Sequence, residues 1–174
     1  MTLILGIDPG SRVTGYGLVA MERNKSVHVA SGCVDMAELP LAGRLREIFE
    51  GLRAVIHEHR PDEVAIEKIF MNRNADSAIK LGQARGAAIV AAAISELPVH
   101  EYSPNEIKQA VVGRGHATKD QVQHMVKVLL TMQGTLRADA ADALAVALCH
   151  GHTRQSLHAT AASGARGARA GRWL

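Results

Sequence analysis

The stretch LILGIDPGSRVTGYG, residues 3–17, decides how the fold begins. Its apolar run predicts a strand over 3–8 that ends on a carboxylate, Asp8. The proline and glycines that follow predict a tight turn into a second strand over 13–21. Because open α/β sheets form their sites where strands end, Asp8 is a candidate site residue.

The rest of the chain alternates between strand and helix patterns. We predict further strands over 25–34, 63–67 and 98–102. We predict helices over about 41–59 and 75–96, after the N-caps Ser103 and Thr118, and over about 138–150. This order predicts an α/β fold with a five-stranded mixed sheet flanked by helices, in which the first, fourth and fifth strands are parallel and central.

Four acidic residues stand in apolar or small-residue surroundings. Asp8 and Glu67 each close a hydrophobic strand. Asp139 and Asp142 are three residues apart in RADAADALAVAL, which places them on one face of a helix. Ionised carboxylates are costly to bury unless they are paired, hydrogen-bonded or bound to a cation. Their convergence predicts a site for Mg²⁺ or Mn²⁺ rather than for Zn²⁺, because hard cations prefer oxygen ligands.

Some of these acids also have a possible structural explanation when they are taken alone. Asp8 precedes Pro-Gly and could begin a turn. Asp139 could be an acid that favours the first turn of a helix, and Glu67 could pair with Lys68 or a nearby arginine. Glu67 and Asp142 have no simple local explanation, and the four acids together favour a site.

Composition places the chain among single globular domains. It has 174 residues, of which 47% are hydrophobic and 21% are charged. No apolar run approaches the roughly 18 residues of a membrane span, and no basic leader precedes the first strand. Cys33 and Cys149 have no metal-binding spacing. We therefore predict that they are buried free thiols in a reducing cytoplasm. The nine histidines show no ligand motif, so we predict surface or core roles for them.

Charge is distributed unevenly along the chain. Residues 35–67 hold eight acids and four bases, whereas residues 68–137 hold nine bases and five acids. A basic region beside a carboxylate cluster is typical of proteins that bring a polyanion to a metal, although a solvated charged surface is the simpler alternative. Residues 153–174 are small and basic, with four arginines and no acid, and predict a disordered tail.

Three blocks of the sequence resemble the signature blocks of the RuvC family, the bacterial Holliday-junction resolvases. They are ILGIDPGSRVTGYG, AIEKIFMNRNADSAIKLGQARG and DAADALAVA, and the similarity extends to about residue 152. The resemblance implies a ribonuclease H-like nuclease domain over 1–152, followed by the tail. It also implies a homodimer that makes paired symmetric nicks in a four-way DNA junction during recombination and repair, with the RuvA–RuvB branch-migration motor as a partner.

The resemblance also implies roles for particular residues. Asp8, Glu67, Asp139 and Asp142 match the catalytic carboxylates, which would hold two Mg²⁺ or Mn²⁺ ions. Lys119 matches a lysine at the active site, Lys108 matches a lysine used on the substrate, and Phe70 matches an aromatic residue that stacks on an unpaired base. Further candidate phosphate contacts are Arg73, Lys80, Arg85 and Arg114.

Two other classes of protein remain for comparison. Actin-like and sugar-kinase ATPases also open with D-x-G-x-x-x-x-G, but they need two such domains, which 174 residues cannot supply. A catalytically silent junction-binding module would lack one or more of the four acids, and all four are present.

The predicted helix over 75–96 is rich in small residues and is a candidate dimer contact. Gly82, Ala84, Gly86, Ala87 and Ala88 would let a second helix approach closely. Tight packing on the protein's own sheet is the alternative. Symmetric cutting needs two sites related by a two-fold axis, and a C₂ dimer supplies them most simply.

Overall fold

Five strands form one sheet in the computed structural model, which describes residues 1–23, 25–36, 38–69 and 75–170. The strands are β1 (Thr2–Asp8), β2 (Val13–Glu22), β3 (Lys25–Asp35), β4 (Glu63–Glu67) and β5 (Val99–Tyr102). The helices are α1 (Leu41–His59), α2 (Ala75–Ile94), α3 (Pro104–Val112), α4 (Lys119–Leu129) and α5 (Ala138–Ala170).

The sheet has the order β3-β2-β1-β4-β5, which confirms the predicted mixed α/β fold. The first three strands form an antiparallel meander, and β4 and β5 join it in parallel. β1 and β4 are interior strands, as predicted. The prediction that β5 is also central is wrong, because β5 pairs with β4 alone and forms an edge of the sheet. The chain turns from β5 directly into α3, and the described residues supply no sixth strand to cover that edge.

Each face of the sheet buries a separate apolar cluster. Alternate residues of β1 point to opposite faces, so Ile4 packs with α3, α4 and α5, whereas Leu5 and Ile7 pack with α1 and α2. The two clusters bury both faces of the central strands. That arrangement explains why β1 and β4 are almost continuously apolar in sequence.

The backbone of α5 lies directly on β1 and β2, and glycines make this approach sterically feasible. A Cβ atom added to Gly6 would lie 2.0 Å from the carbonyl oxygen of Ala143. A Cβ atom added to Gly15 would lie 2.0 Å from the carbonyl oxygen of Asp139. Any other residue at these positions would push α5 away from the sheet. The two glycines therefore fix the distance at which α5 presents its side chains to the end of β1.

Both predicted N-caps are confirmed, and each of them forms a capping box. The Ser103 side chain accepts a hydrogen bond from the backbone N–H of Glu106, and the Glu106 side chain accepts one from the N–H of Ser103. Thr118 and Gln121 form the same reciprocal pair at the start of α4. Such caps each stabilise a helix by about 0.5–2 kcal/mol, so the starts of α3 and α4 are well defined.

The last helix is longer than predicted. We expected it to end near residue 150 and expected disorder over 153–174, but helical backbone continues to Ala170. Alanine has the highest helix propensity, and no proline interrupts this segment.

Both cysteines are free. Cys149 is buried as predicted, whereas Cys33 is only half-buried. Among the residues described, no helix is long and apolar enough to span a membrane.

We predict that Gly6→Ala lowers the free energy of unfolding by about 1–3 kcal/mol or more, because the new methyl group collides with the backbone of α5. The matched control is Gly43→Ala in α1, where a Cβ atom would meet only ordinary contacts at 3.4 Å and beyond. That control should keep or raise stability by up to about 1 kcal/mol. Urea unfolding of both variants tests this, and equal stabilities would show that the close approach is unimportant.

Candidate active site

Asp8 and Glu67 lie side by side because β1 and β4 are parallel neighbours. The register pairs Ile7 with Ile66, so the residues that follow each of them come together at the same edge of the sheet. Asp142 reaches this edge from α5, whose position is fixed by the glycine contacts with β1 and β2. Three of the four predicted carboxylates are thus delivered by three different elements.

These carboxylates line a cavity of about 140 Å³. Lys108 of α3 and Lys119 of α4 complete its polar wall. Its apolar wall consists of Pro104, Ile107, Val122 and Ala145. The cavity therefore combines oxygen ligands with two cationic side chains, and apolar residues limit the water around them.

Asp139 lies near this cavity but does not line it. It is half-buried in the first turn of α5, one helical turn before Asp142, and its carbonyl oxygen packs against Gly15. Its charge still acts on the site, since it contributes to raising the pKa of Asp8. The structure therefore brings Asp8, Glu67 and Asp142 together and leaves Asp139 at the margin.

The cavity concentrates negative charge. Burial, and then the charges of Glu67, Asp142 and Asp139, raise the pKa of Asp8 to about 7. Burial followed by the charge of Asp142 raises the pKa of Glu67. The pKa of Asp142 is also raised, mainly by burial, although Lys119 opposes this shift.

Lys119 is the cation nearest to Asp142. Its Nζ atom lies 3.4 Å from Oδ2 of Asp142, and 79% of its side chain is exposed to solvent. The charge of Asp142 raises the pKa of Lys119, so the ammonium group is positive at neutral pH. Because it is largely solvated, this ammonium group offsets only part of the carboxylate charge. The donor atoms and the uncompensated charge both suit hard divalent cations, for which the ligands would be these carboxylates.

Arg85 lies behind the site rather than in its cavity. Its Nε–H donates to the backbone carbonyl of Glu67 at 3.2 Å, and its guanidinium forms an ion pair with Glu101. The side chain thereby ties α2 to the ends of β4 and β5. The phosphate contact that we predicted for this residue stays a prediction beside these two protein partners.

The remaining predicted DNA contacts are dispersed. Lys80 pairs with Asp76 on α2 at 2.5 Å, and Arg114 is exposed in the turn after α3. Phe70 and Arg73 lie outside the described residues.

Sequence reasoning did not identify Pro104, Ile107 and Val122 as lining residues. The only feature of the sequence that pointed to these residues was the pair of capping boxes, which position α3 and α4.

A second polar cluster lies at the opposite end of β4. Ligand atoms of Glu63, His100 and His150 all lie within 4.8 Å of one another, the one such group of three in the described part of the chain. Burial, and then His100, lower the pKa of His150 to about 4, so its ring is neutral at pH 7. We predicted surface or core roles for the histidines, and two of them, the buried His150 and the partly exposed His100, also share a polar cluster with a glutamate.

Comparisons with known proteins agree with this geometry. Residues 4–150 match the family model described as crossover junction endodeoxyribonuclease RuvC. Proteins of that name from Shewanella sp. (strain W3-18-1) and Aeromonas salmonicida (strain A449) are 56% and 59% identical, each over 90% of this chain and 91% of the relative. A solved structure of T. thermophilus RuvC in complex with a Holliday junction substrate is 36% identical. It has a TM-score of 0.84 and covers 90% of this chain and 96% of that one.

We predict that Asp8 makes a contribution to metal-free stability that is lost as the pH rises from about 4 to about 7, whereas His150, whose pKa is lowered to about 4, changes stability in the opposite direction. Because the pKa of Asp8 is raised, the folded state binds more protons than the unfolded state in this window, and ionisation destabilises it. The shift corresponds to a loss on the order of a few kcal/mol. Asp8→Asn should remove this contribution, so the stability of the variant relative to the parental protein should increase between about pH 4 and pH 7.

The measurement is urea unfolding across this pH range in the presence of a chelator. Glu58→Gln, which removes an exposed acid on α1, should keep the slope of the parental protein. Glu67 and Asp142 leave some slope in the Asp8 variant, because their pKa values are raised as well. An Asp8 variant with the full parental slope would contradict the assignment of this repulsion to Asp8.

Proposed function

Because the chain belongs to the RuvC family of crossover junction endodeoxyribonucleases, we propose that it resolves four-way DNA junctions with the carboxylates of this cavity as its catalytic groups. It is an endonuclease of Holliday junctions, as its relatives of the same name and the junction complex of T. thermophilus RuvC indicate. The observation that carries the residue assignment is the convergence of Asp8, Glu67 and Asp142 in one cavity with Lys108 and Lys119.

We propose that the carboxylates hold Mg²⁺ or Mn²⁺, two ions per site. Asp8 is central and is the best candidate for a shared ligand, since Glu67, Asp142 and Asp139 all act on its pKa. Glu67 and Asp142 would each complete one ion's ligands, and Asp139 would support them from the margin. Such ions supply an activated water and stabilise charge on the departing oxygen.

Lys108 and Lys119 would bind the phosphate next to the carboxylates. Three carboxylates in one cavity repel a phosphodiester, and two ammonium groups on its wall reduce that repulsion. Lys119 already lies beside Asp142, so it would hold a phosphate oxygen at the carboxylate edge. The apolar wall formed by Ile107 and Val122 would limit water and strengthen these interactions.

The wider DNA contact remains our proposal from the sequence. Phe70 would stack on an unpaired base at the junction, an interaction worth about 1–3 kcal/mol. Arg73, Lys80 and Arg114 would contact phosphates. Arg85 would act indirectly, by holding the end of β4 that carries Glu67.

We predict that Asp8→Asn, Glu67→Gln and Asp142→Asn each abolish cleavage while junction binding persists. Binding rests on lysines and arginines, whereas the carboxylates and their cations stabilise the transition state. The assay combines cleavage of a labelled synthetic four-way junction in Mg²⁺ with a gel-shift assay in the presence of a chelator. Glu58→Gln is the control and should cut at the parental rate. Parental cleavage by Asp8→Asn would remove the active-site assignment, and equal cutting of linear duplex would remove the junction preference.

A homodimer is the assembly that paired nicking requires, and α2 offers a contact surface. Ile79, Val90 and Ile94 are exposed large apolar residues on this helix. Gly82 and Gly86 lie between them in sequence, with nothing within 4 Å of an added Cβ atom. Spacings of three and four residues place all five on one face, which we name the α2 outer face. We propose that two copies pack through this face, because exposed apolar patches of this kind mark interfaces.

We predict that Val90→Lys shifts the dimer to monomer at micromolar concentration. A lysine in the centre of the α2 outer face would bury an unpaired charge in the interface. Val128→Lys on α4 is the matched control, since Val128 is equally exposed apolar surface away from that face. Sedimentation velocity measures the assembly, and a junction labelled on opposing strands reports whether both nicks occur in one binding event. Undiminished paired nicking by a monomeric Val90 variant would contradict the proposal.

Two further assignments rest on family membership alone. We propose that the protein works with the RuvA–RuvB branch-migration motor, which delivers junctions. We also propose that it is cytoplasmic.

A further inference from the structure

Glu63, His100 and His150 belong to three different elements that meet at the edge of the sheet. Glu63 begins β4, His100 is in β5, and His150 is on α5. Glu63 and Glu67 are at opposite ends of β4, about 13 Å apart at the usual rise of a strand. The cluster is thus separate from the carboxylate cavity and has no role in the proposed mechanism.

The distances within this cluster suit a tetrahedral cation. Oε2 of Glu63 lies 2.5 Å from Nε2 of His150 and 3.8 Å from Nε2 of His100. Two ligands of a tetrahedral zinc ion at about 2.0–2.1 Å would be about 3.3 Å apart, a separation that lies between these two values. A small shift of the Glu63 carboxylate and a rotation of the half-exposed His100 ring would make room for the ion.

The groups around the cluster hold its ligands as metal sites do. The Tyr102 hydroxyl is 2.7 Å from Nδ1 of His150 and fixes the ring so that Nε2 points at Glu63. The Arg154 guanidinium pairs with Oε1 of Glu63 and leaves Oε2 directed at both imidazoles. Ligating histidines and carboxylates usually have such a partner on the atom that does not bind the metal.

The two histidines of the cluster differ in their exposure to solvent. His150 has 2% of its side chain exposed, whereas His100 has 43% exposed. The two rings stack with centroids 4.2 Å apart, so the half-exposed His100 ring would turn out of this stack for both Nε2 atoms to face one ion. A cation could therefore arrive past His100 and retain a water as a fourth ligand. The alternative is a hydrogen-bonded network without metal that joins α5 to the sheet.

We propose that Glu63, His100 and His150 form a second cation site, selective for Zn²⁺ and similar borderline metals, that clamps α5 to β4 and β5. Two imidazoles and one carboxylate are a donor set typical of zinc and unlike the all-oxygen cavity at the other end of β4. Arg154 pairs with Glu63 and therefore lowers the affinity of this carboxylate for a cation.

The test is titration of the full chain, stripped with a chelator, with Zn²⁺ and with Co²⁺ as a spectroscopic probe. We expect about one Zn²⁺ per chain at this site, visible d–d bands of imidazole-bound Co²⁺, and a rise of several degrees in Tm with saturating Zn²⁺. His100→Ala should abolish the bands and weaken Zn²⁺ binding more than ten-fold. Because His100 is half-exposed, this change removes a ligand without opening a core cavity.

Two controls separate this site from the catalytic one and from ordinary surface histidines. Asp8→Asn should retain the Co²⁺ bands, since the carboxylate cavity is not involved. His57→Ala, which removes an exposed histidine on α1, should also retain them. Unaltered Co²⁺ spectra in His100→Ala, or no Zn²⁺ retained at micromolar concentration by the parental protein, would overturn the proposal and leave a metal-free network. Loss of the bands in Asp8→Asn alone would assign the metal to the catalytic cavity.

Discussion

The close contact between α5 and the glycines of β1 and β2 is the constraint on which the rest of the structure depends. Gly6 and Gly15 let carbonyl oxygens of α5 occupy the space where side chains would otherwise stand. This contact sets how far Asp142 reaches toward Asp8. It also places His150, eight residues further along the same helix, at the opposite end of the sheet. A single packing distance therefore positions both polar clusters, because a helix is too rigid to adjust them independently.

The fold holds three carboxylates together at a cost that its apolar clusters must exceed. Burial raises the pKa values of Asp8, Glu67 and Asp142, and their mutual repulsion adds to this shift for Asp8 and Glu67. The surrounding elements are correspondingly well anchored. Capping boxes define the helices that carry Lys108 and Lys119, and Arg85 holds the backbone of Glu67. Rigid presentation of repelling charges is what a cation site needs, because a flexible site would relax and lose its affinity.

Local patterns in the sequence were sufficient to predict most of the fold and all three acidic residues that line the cavity. Asp8 and Glu67 end apolar strands, and parallel neighbours bring such ends together whatever lies between them. The His150 cluster could not be predicted in this way. Its members are 37 and 50 residues apart and meet only because β5 joins beside β4 and α5 crosses the sheet. The edge position of β5 and the partners of Arg85 likewise depend on tertiary packing, which leaves no local pattern.

The two proposed cation sites are distinguished chiefly by the type of their donor atoms, and less by the distance between the sites. β4 and α5 carry residues of both the carboxylate cavity and the Glu63 cluster, so the two proposed sites share their supporting elements. The carboxylate cavity offers oxygen ligands, which suit Mg²⁺, whereas the proposed second site offers two imidazole nitrogens, which Mg²⁺ binds poorly. Zinc at the distal site would therefore order α5 without occupying a ligand that catalysis needs. Because α5 also carries Asp142, zinc binding would affect the carboxylate cavity by making this helix more rigid. It would not change the charge inside the cavity.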